Sequence, residues 1–313
     1  MKHLAIMTRI RLLFSEFLKV VTGPNPVLIL ILTCCVRPLF SQTMLRDTLM
    51  ERLLYEGRYE QALRTAHREH IGRPTDASLD LKLAECYSLL RQPDSAFIFL
   101  NRFVSRSAYP YFVLSNRWLV SLRSADRWKN LYGRLGKQYY EEFAGSRPDT
   151  AFVFLEFMND DQFLRGMLRL LPASDSLKDA FEREDAALRQ RFLNYIGQNG
   201  IPSCAGMDPV ACKALGLMFI HLPWQEQITY RSQIETLYMQ NKFDPESYAV
   251  FKDKMMVKEE GKQYFGTQSY TDENGTNRLY DIVDPRHVDE RRQRCALMPL
   301  KEWCRMIGVE YTE

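Results

Sequence analysis

An internal offset restricts the fold of this chain more than any other feature. Between Leu45 and about Tyr140 the apolar residues recur at helical spacing, and the segment can be laid over itself at a shift of 34 positions. That shift places Gly57-Arg58-Tyr59-Glu60-Gln61-Ala62-Leu63 on Arg91-Gln92-Pro93-Asp94-Ser95-Ala96-Phe97, each a turn followed by a helix opening. A further 34 positions bring Asn130 to the place of the alanine, within Asp126-Arg127-Trp128-Lys129-Asn130-Leu131. A small residue at that place lets two antiparallel helices approach closely. The segment is therefore expected to form two or three helical hairpins.

On these residues the region 43–171 resembles a short tetratricopeptide-type array, whose repeat is about 34 residues long. The resemblance implies a surface for a protein or peptide partner and does not imply catalysis. An ordinary helical bundle with a chance alignment is the alternative, and it predicts the same helical layer. His67 and His70 share a helix face, but no third ligand lies nearby in sequence, so they are read as part of a solvated face. Phe152, Phe154, Phe157 and Phe163 form an aromatic stripe at helical spacing, expected in a core. Pro172-Ala173-Ser174-Asp175-Ser176 breaks the pattern and marks the expected domain boundary.

The first 42 residues read differently. Lys2, Arg9, Arg11 and Lys19 make a basic start, Val27–Val36 is an uninterrupted apolar run, and Phe40-Ser41-Gln42 supplies a small residue for cleavage. This order predicts a secretory signal peptide, 1–42, beginning at Met1 or Met7. The apolar run is half of the roughly 20 residues that a spanning helix needs, so no transmembrane span is expected in the mature chain. Leu32-Thr33-Cys34 loosely suggests lipoprotein anchoring as a less favoured fate. An extracytoplasmic location, periplasmic or secreted, follows. Removing Cys34 and Cys35 leaves Cys86, Cys204, Cys212, Cys295 and Cys304, an odd number. Cys204 with Cys212, or Cys295 with Cys304, are close enough to pair; five buried thiols are the alternative. A net charge of +3, from 42 basic and 39 acidic residues, is no footprint for nucleic acid.

The remainder, 176–313, is expected to be an α+β domain. Helices are predicted over Leu177–Tyr195, Pro209–Ile220, Gln225–Gln240 and Pro245–Lys258. Two strand-like runs, Gln263–Thr271 and Arg278–Val283, then flank Glu273-Asn274-Gly275, a strong signal for one late β-hairpin. A short helix over Val288–Arg294 closes the pattern. The whole chain is thus predicted mainly α, an antiparallel helix-hairpin array followed by an α+β domain.

Gly200-Ile201-Pro202, His221, Asp253-Lys254, Gln263-Tyr264-Phe265-Gly266-Thr267-Gln268 and Val288-Asp289 with Arg291-Arg292 occur in that order. They resemble an uncharacterised bacterial family, a domain of unknown function, whose members carry G-W-P, Q-H, D-R, Y-G-T-Q and V-D-x-R-R elements. The resemblance covers about Asp185 to Trp303. Ile220 stands where a Gln is usual and Lys254 where an Arg is usual, and Lys does not reproduce the bidentate fork of Arg. The family brings no activity with it.

The same residues make a candidate constellation. His221 and Asp253 are the candidate acid or base and its support, because an imidazole can carry protons near neutral pH. Lys254, Gln263, Tyr264, Thr267, Gln268, Asp289, Arg291 and Arg292 are the candidate ligand-binding groups. Such residue types equally brace a domain internally. No G-x-S-x-G elbow, phosphate loop, H-E-x-x-H or dinucleotide fingerprint occurs, so no cofactor or metal is expected. The leading expectation is an exported interaction protein with a ligand- or partner-binding C-terminal domain. The alternative is an exported hydrolase using His221 with Asp253.

Overall fold

In a computed structural model of the chain, residues 49–143, 148–309 and 311 are described; the expected signal peptide lies outside them. The protein is mainly helical with a few short strands. It divides into two compact units, one ending at Gly200 and the other beginning at Ile201. No helix among the described residues is long and apolar enough to cross a membrane.

The first unit opens with α1, over 49–55, followed by α2 (Tyr59–Gly72), α3 (Ala77–Leu89) and α4 (Pro93–Arg106). Two short 3-10 turns, Pro110–Leu114 and Arg117–Leu122, lead to α5 (Asp126–Glu142), α6 (Pro148–Leu170) and α7 (Asp175–Asn199). Helix starts follow local chemistry. Asp76 and Ser174 accept hydrogen bonds from backbone N–H groups of the first turns of α3 and α7, and Pro93 and Pro148 sit where a missing N–H costs nothing.

The ends of α1 and α3, 34 positions apart, share their turn hydrogen bonds. At the end of α1, Glu56, Gly57 and Arg58 donate N–H bonds to the carbonyls of Arg52, Leu54 and Leu53; at the end of α3, Leu90, Arg91 and Gln92 donate to Cys86, Ser88 and Tyr87. The two turns pass through the left-handed region at equivalent positions, Gly57 at φ 72° and Arg91 at φ 59°. Ala62 and Ala96 are both wholly buried. Leu53, Leu54, Ala62 and Cys86 pack together, and so do Met50, Ala66, Leu79 and Leu83. The third expected copy departs: α5 exposes Asn130 and buries Trp128, Leu131 and Leu135. The stretch preceding it is not a helix but the two 3-10 turns, the first opened by Pro110.

Phe152, Phe154 and Phe157 are buried on α6, and Phe157 meets Phe192 of α7 edge-on at 5.5 Å. The helix predicted over Leu177–Tyr195 is α7, and it packs on α6 within the first unit.

The second unit contains α8 (Pro209–His221), α9 (Trp224–Met239) and α10 (Pro245–Glu260). Asp208 and Asp244 cap the helices that open with Pro209 and Pro245. Nine residues of α8 are buried, Val210 to Ile220 among them, which makes this helix the unit's central element. Tyr238 of α9 stacks on Tyr248 of α10 with centroids 3.7 Å apart.

Four short strands follow: β1 (Lys262–Gln263), β2 (Ser269–Thr271), β3 (Asn277–Leu279) and β4 (Asp281–Ile282). β2 and β3 are antiparallel, with Tyr270 opposite Arg278. Asp272 holds the turn between them by accepting N–H bonds from Asn274 and Thr276. β1 pairs in parallel with β4. The single strand expected across Gln263–Thr271 is interrupted, because 264–268 form a buried loop. Helices α11 (Val288–Arg294) and α12 (Leu300–Ile307) complete the unit.

Candidate functional site

The interrupted strand is drawn inward by one carboxylate. Asp253, on α10, is fully buried. Its Oδ1 accepts the N–H bonds of Tyr264 at 2.7 Å and Phe265 at 2.8 Å, and its Oδ2 accepts the N–H and the hydroxyl of Thr267, both at 2.9 Å. Burial pushes this carboxyl above its ordinary range, and the four hydrogen bonds oppose that push. Thr267 in turn accepts a bond from Gln268 Nε2. Each group is thereby aimed at the next.

Gln263 closes the other side of the loop. Its Nε2 donates to the carbonyls of Gln268 and Tyr280, and its Oε1 accepts the Gln268 N–H at 2.7 Å. The loop's own carbonyls are gathered by two buried guanidiniums of α11. Arg291 donates to the carbonyls of Tyr264, Val283 and Asp284 and lies 4.3 Å over the Tyr264 ring. Arg292 donates to Met298, Phe265 and Gly266. Asp289 accepts the N–H of Leu300 at the start of α12. Gly266, at φ 71°, is required here, since a Cβ would also collide with Leu300.

The structure thus brings together Asp253, Gln263, Tyr264, Thr267, Gln268, Arg291 and Arg292. Their polar atoms are engaged largely with backbone, in a buried clasp that ties the loop 264–268 to α10 and α11. His221 closes α8, and Lys254 follows Asp253 on α10. Lys254 donates to the carbonyl of Ile220, the residue before His221 in the last turn of α8, and His221 itself is partly buried. Gln227 donates to the carbonyls of Ile220 and Leu222, both at 2.8 Å. Lys254 and Gln227 therefore cap the end of α8, where carbonyls lack helical partners. Gln227 carried no sequence signal, because nothing in a lone glutamine on an amphipathic helix reports a contact five to eight residues back along the chain.

Beside the clasp runs a cleft of about 580 Å³, lined by Lys262, the segment Leu279 to Pro285, and Tyr311. The Tyr280, Val283 and Asp284 carbonyls held by Gln263 and Arg291 belong to its wall. These two side chains act on the cleft by shaping it, since both are buried.

Among the described residues a disulfide, Cys204 to Cys212, joins the turn Cys204–Gly206 to the opening of α8, with the Cα atoms 5.3 Å apart. Loop-closure entropy assigns a ring of this size about 2.5 kcal/mol. Cys86, Cys295 and Cys304 are free and buried. Burial pushes the Cys86 thiol up to about 12 and Cys304 up to about 11, so neither supplies a thiolate near neutral pH.

Among the described residues no group of three or more His, Cys, Asp or Glu side chains is placed to hold a metal ion. His67 and His70 are not on a solvated face: His67 Nε2 lies 2.8 Å from the Tyr87 hydroxyl, and His70 Nε2 lies 3.3 Å from Asp80. Comparison with known proteins returns no match: no family model, no curated protein and no solved structure.

Proposed function

We propose that this chain is an exported binding protein: its first unit is a short tetratricopeptide-type array that holds a protein or peptide partner, and its second is a non-catalytic module of the unknown-function family. The recurrence of the same turn hydrogen bonds 34 residues apart carries the array reading. It is supported by the paired burial of Ala62 and Ala96 and by the lateral contacts Arg127 to Asp94 and Arg134 to Asn101, each linking positions about one repeat apart.

The non-catalytic reading of the second unit draws on the clasp. A general base must reach its substrate's proton directly or through one water, whereas Asp253 is sealed and fully engaged. The cleft of Lys262, Leu279 to Pro285 and Tyr311 is the surface this unit offers to a ligand or partner. The array reading is tested by crosslinking the full chain in cell-envelope extract and identifying what it retains. A specific protein recovered reproducibly is the expected result, and its absence counts against the reading. Fractionation with N-terminal sequencing tests export: the mature protein should start near Thr43.

A further inference from the structure

In the first unit, the turn Pro110–Leu114, α5 and the opening of α6 enclose a small cleft of about 210 Å³. Its floor is aromatic. Tyr111 is wholly buried and stacks on Phe152 at 6.2 Å between centroids, and Phe152 meets Tyr132 edge-on at 5.8 Å. Asp149 and Glu156 line the same cleft from α6, and a spacing of seven puts them on one helix face. Asp149 is exposed and forms no ion pair or hydrogen bond among the described residues; Glu156 is 45% exposed, with Arg191 at 3.8 Å. The Tyr132 hydroxyl senses both carboxylates: its pKa is pushed up by burial first, then by Asp149 and Glu156.

The volume falls below the roughly 300 Å³ at which small-molecule sites begin, and it suits one long side chain. Aromatic faces and carboxylates together select a cation with an apolar stem. Beyond the cleft, Tyr132 and Tyr140 remain exposed on α5, and Gly133 and Gly136 leave open space above the helix backbone. A chain lying across α5 can approach closely there.

Resting on the reading of this unit as a partner-binding array, we propose that the cleft anchors a partner peptide presenting an arginine or lysine flanked by apolar residues. The cation enters over Tyr132 and Phe152 toward Asp149 and Glu156, and the flanking residues lie along α5 between the two tyrosines.

The test is a titration of the isotope-labelled full chain with acetyl-Leu-Arg-Leu-amide, and with the corresponding Gln and Glu peptides, followed by NMR at the backbone amides of Tyr132 and Val153. Saturable shifts with the Arg peptide alone are expected, with affinity at least tenfold lower in the D149N/E156Q variant. Both substituted groups lie at the cleft's rim, and the variant should melt with the wild type. An equal response to all three peptides, shifts confined to other surfaces, or unchanged affinity in that variant overturns the proposal. Failure of the array reading shows differently, as no specific partner retained by the wild type. If the variant still captures a retained partner undiminished, the cleft assignment alone falls.

Discussion

At Asp253 a single side chain decides the path of a whole loop. Four donors converge on its two oxygens, and each would be costly to leave buried without an acceptor. In Asp253→Asn one acceptor becomes an N–H₂ group facing donors, so the variant should lose about 3 kcal/mol in urea denaturation. Arg91 is the opposite case. It occupies, at φ 59°, the left-handed position that Gly57 fills one repeat earlier, and a side chain there is strained. Arg91→Gly should raise stability by about 0.5–1 kcal/mol, and Gly57→Ala should lower it by a similar amount. Part of this was legible in the sequence: Gly57 lies in an expected turn, whereas Gly266 lay within an expected strand. Arg91 gave a signal only through its alignment with Gly57, because an arginine by itself does not report a left-handed backbone.

Helix α8 shows how elements are placed. Its start was legible from Asp208-Pro209 and its burial from an apolar run, and the predicted Pro209–Ile220 nearly coincides with the observed Pro209–His221. Its partner was not legible. Gly216 faces Ser247 of α10 so closely that a Cβ would strike the serine side chain. Gly216→Ala should therefore cost about 1–3 kcal/mol, as overpacking does, and Ser247→Gly should restore most of the loss in the double variant. Failure of that rescue in thermal melts would mean the two helices do not meet here. The strands show the limit of periodicity. The residues of 263–271 look extended and β-prone, yet the clasp breaks them into β1 and β2 with a coiled loop between. A carboxylate 11 to 14 residues away outweighs local preference, because burying it unpaired costs more than a strand's ladder returns.

Over the whole molecule, acid should be felt in the first unit through His67. Burial and then the neighbouring His70 hold its pKa below the ordinary value. The native state therefore binds this proton less readily than the unfolded chain. Its contribution to stability is complete above a pH of about 6.5, the unfolded value, and is lost as pH falls below it. His67→Gln, which can still bond Tyr87, should lessen the fall in melting temperature between pH 7 and pH 5; an unchanged fall would remove His67 from the account. By itself, the sequence determined the mainly helical class and the approximate bounds of α8, α9 and α10, because capping residues, prolines and apolar spacing act over a few neighbours. Only the tertiary structure decided that Asp253, Gln263, Arg291 and Arg292 serve as a buried clasp, that Cys204 pairs with Cys212, and that His67 and His70 turn inward. Each depends on which distant groups share a burial site, and the cost of desolvating a polar group is settled only when its partners arrive.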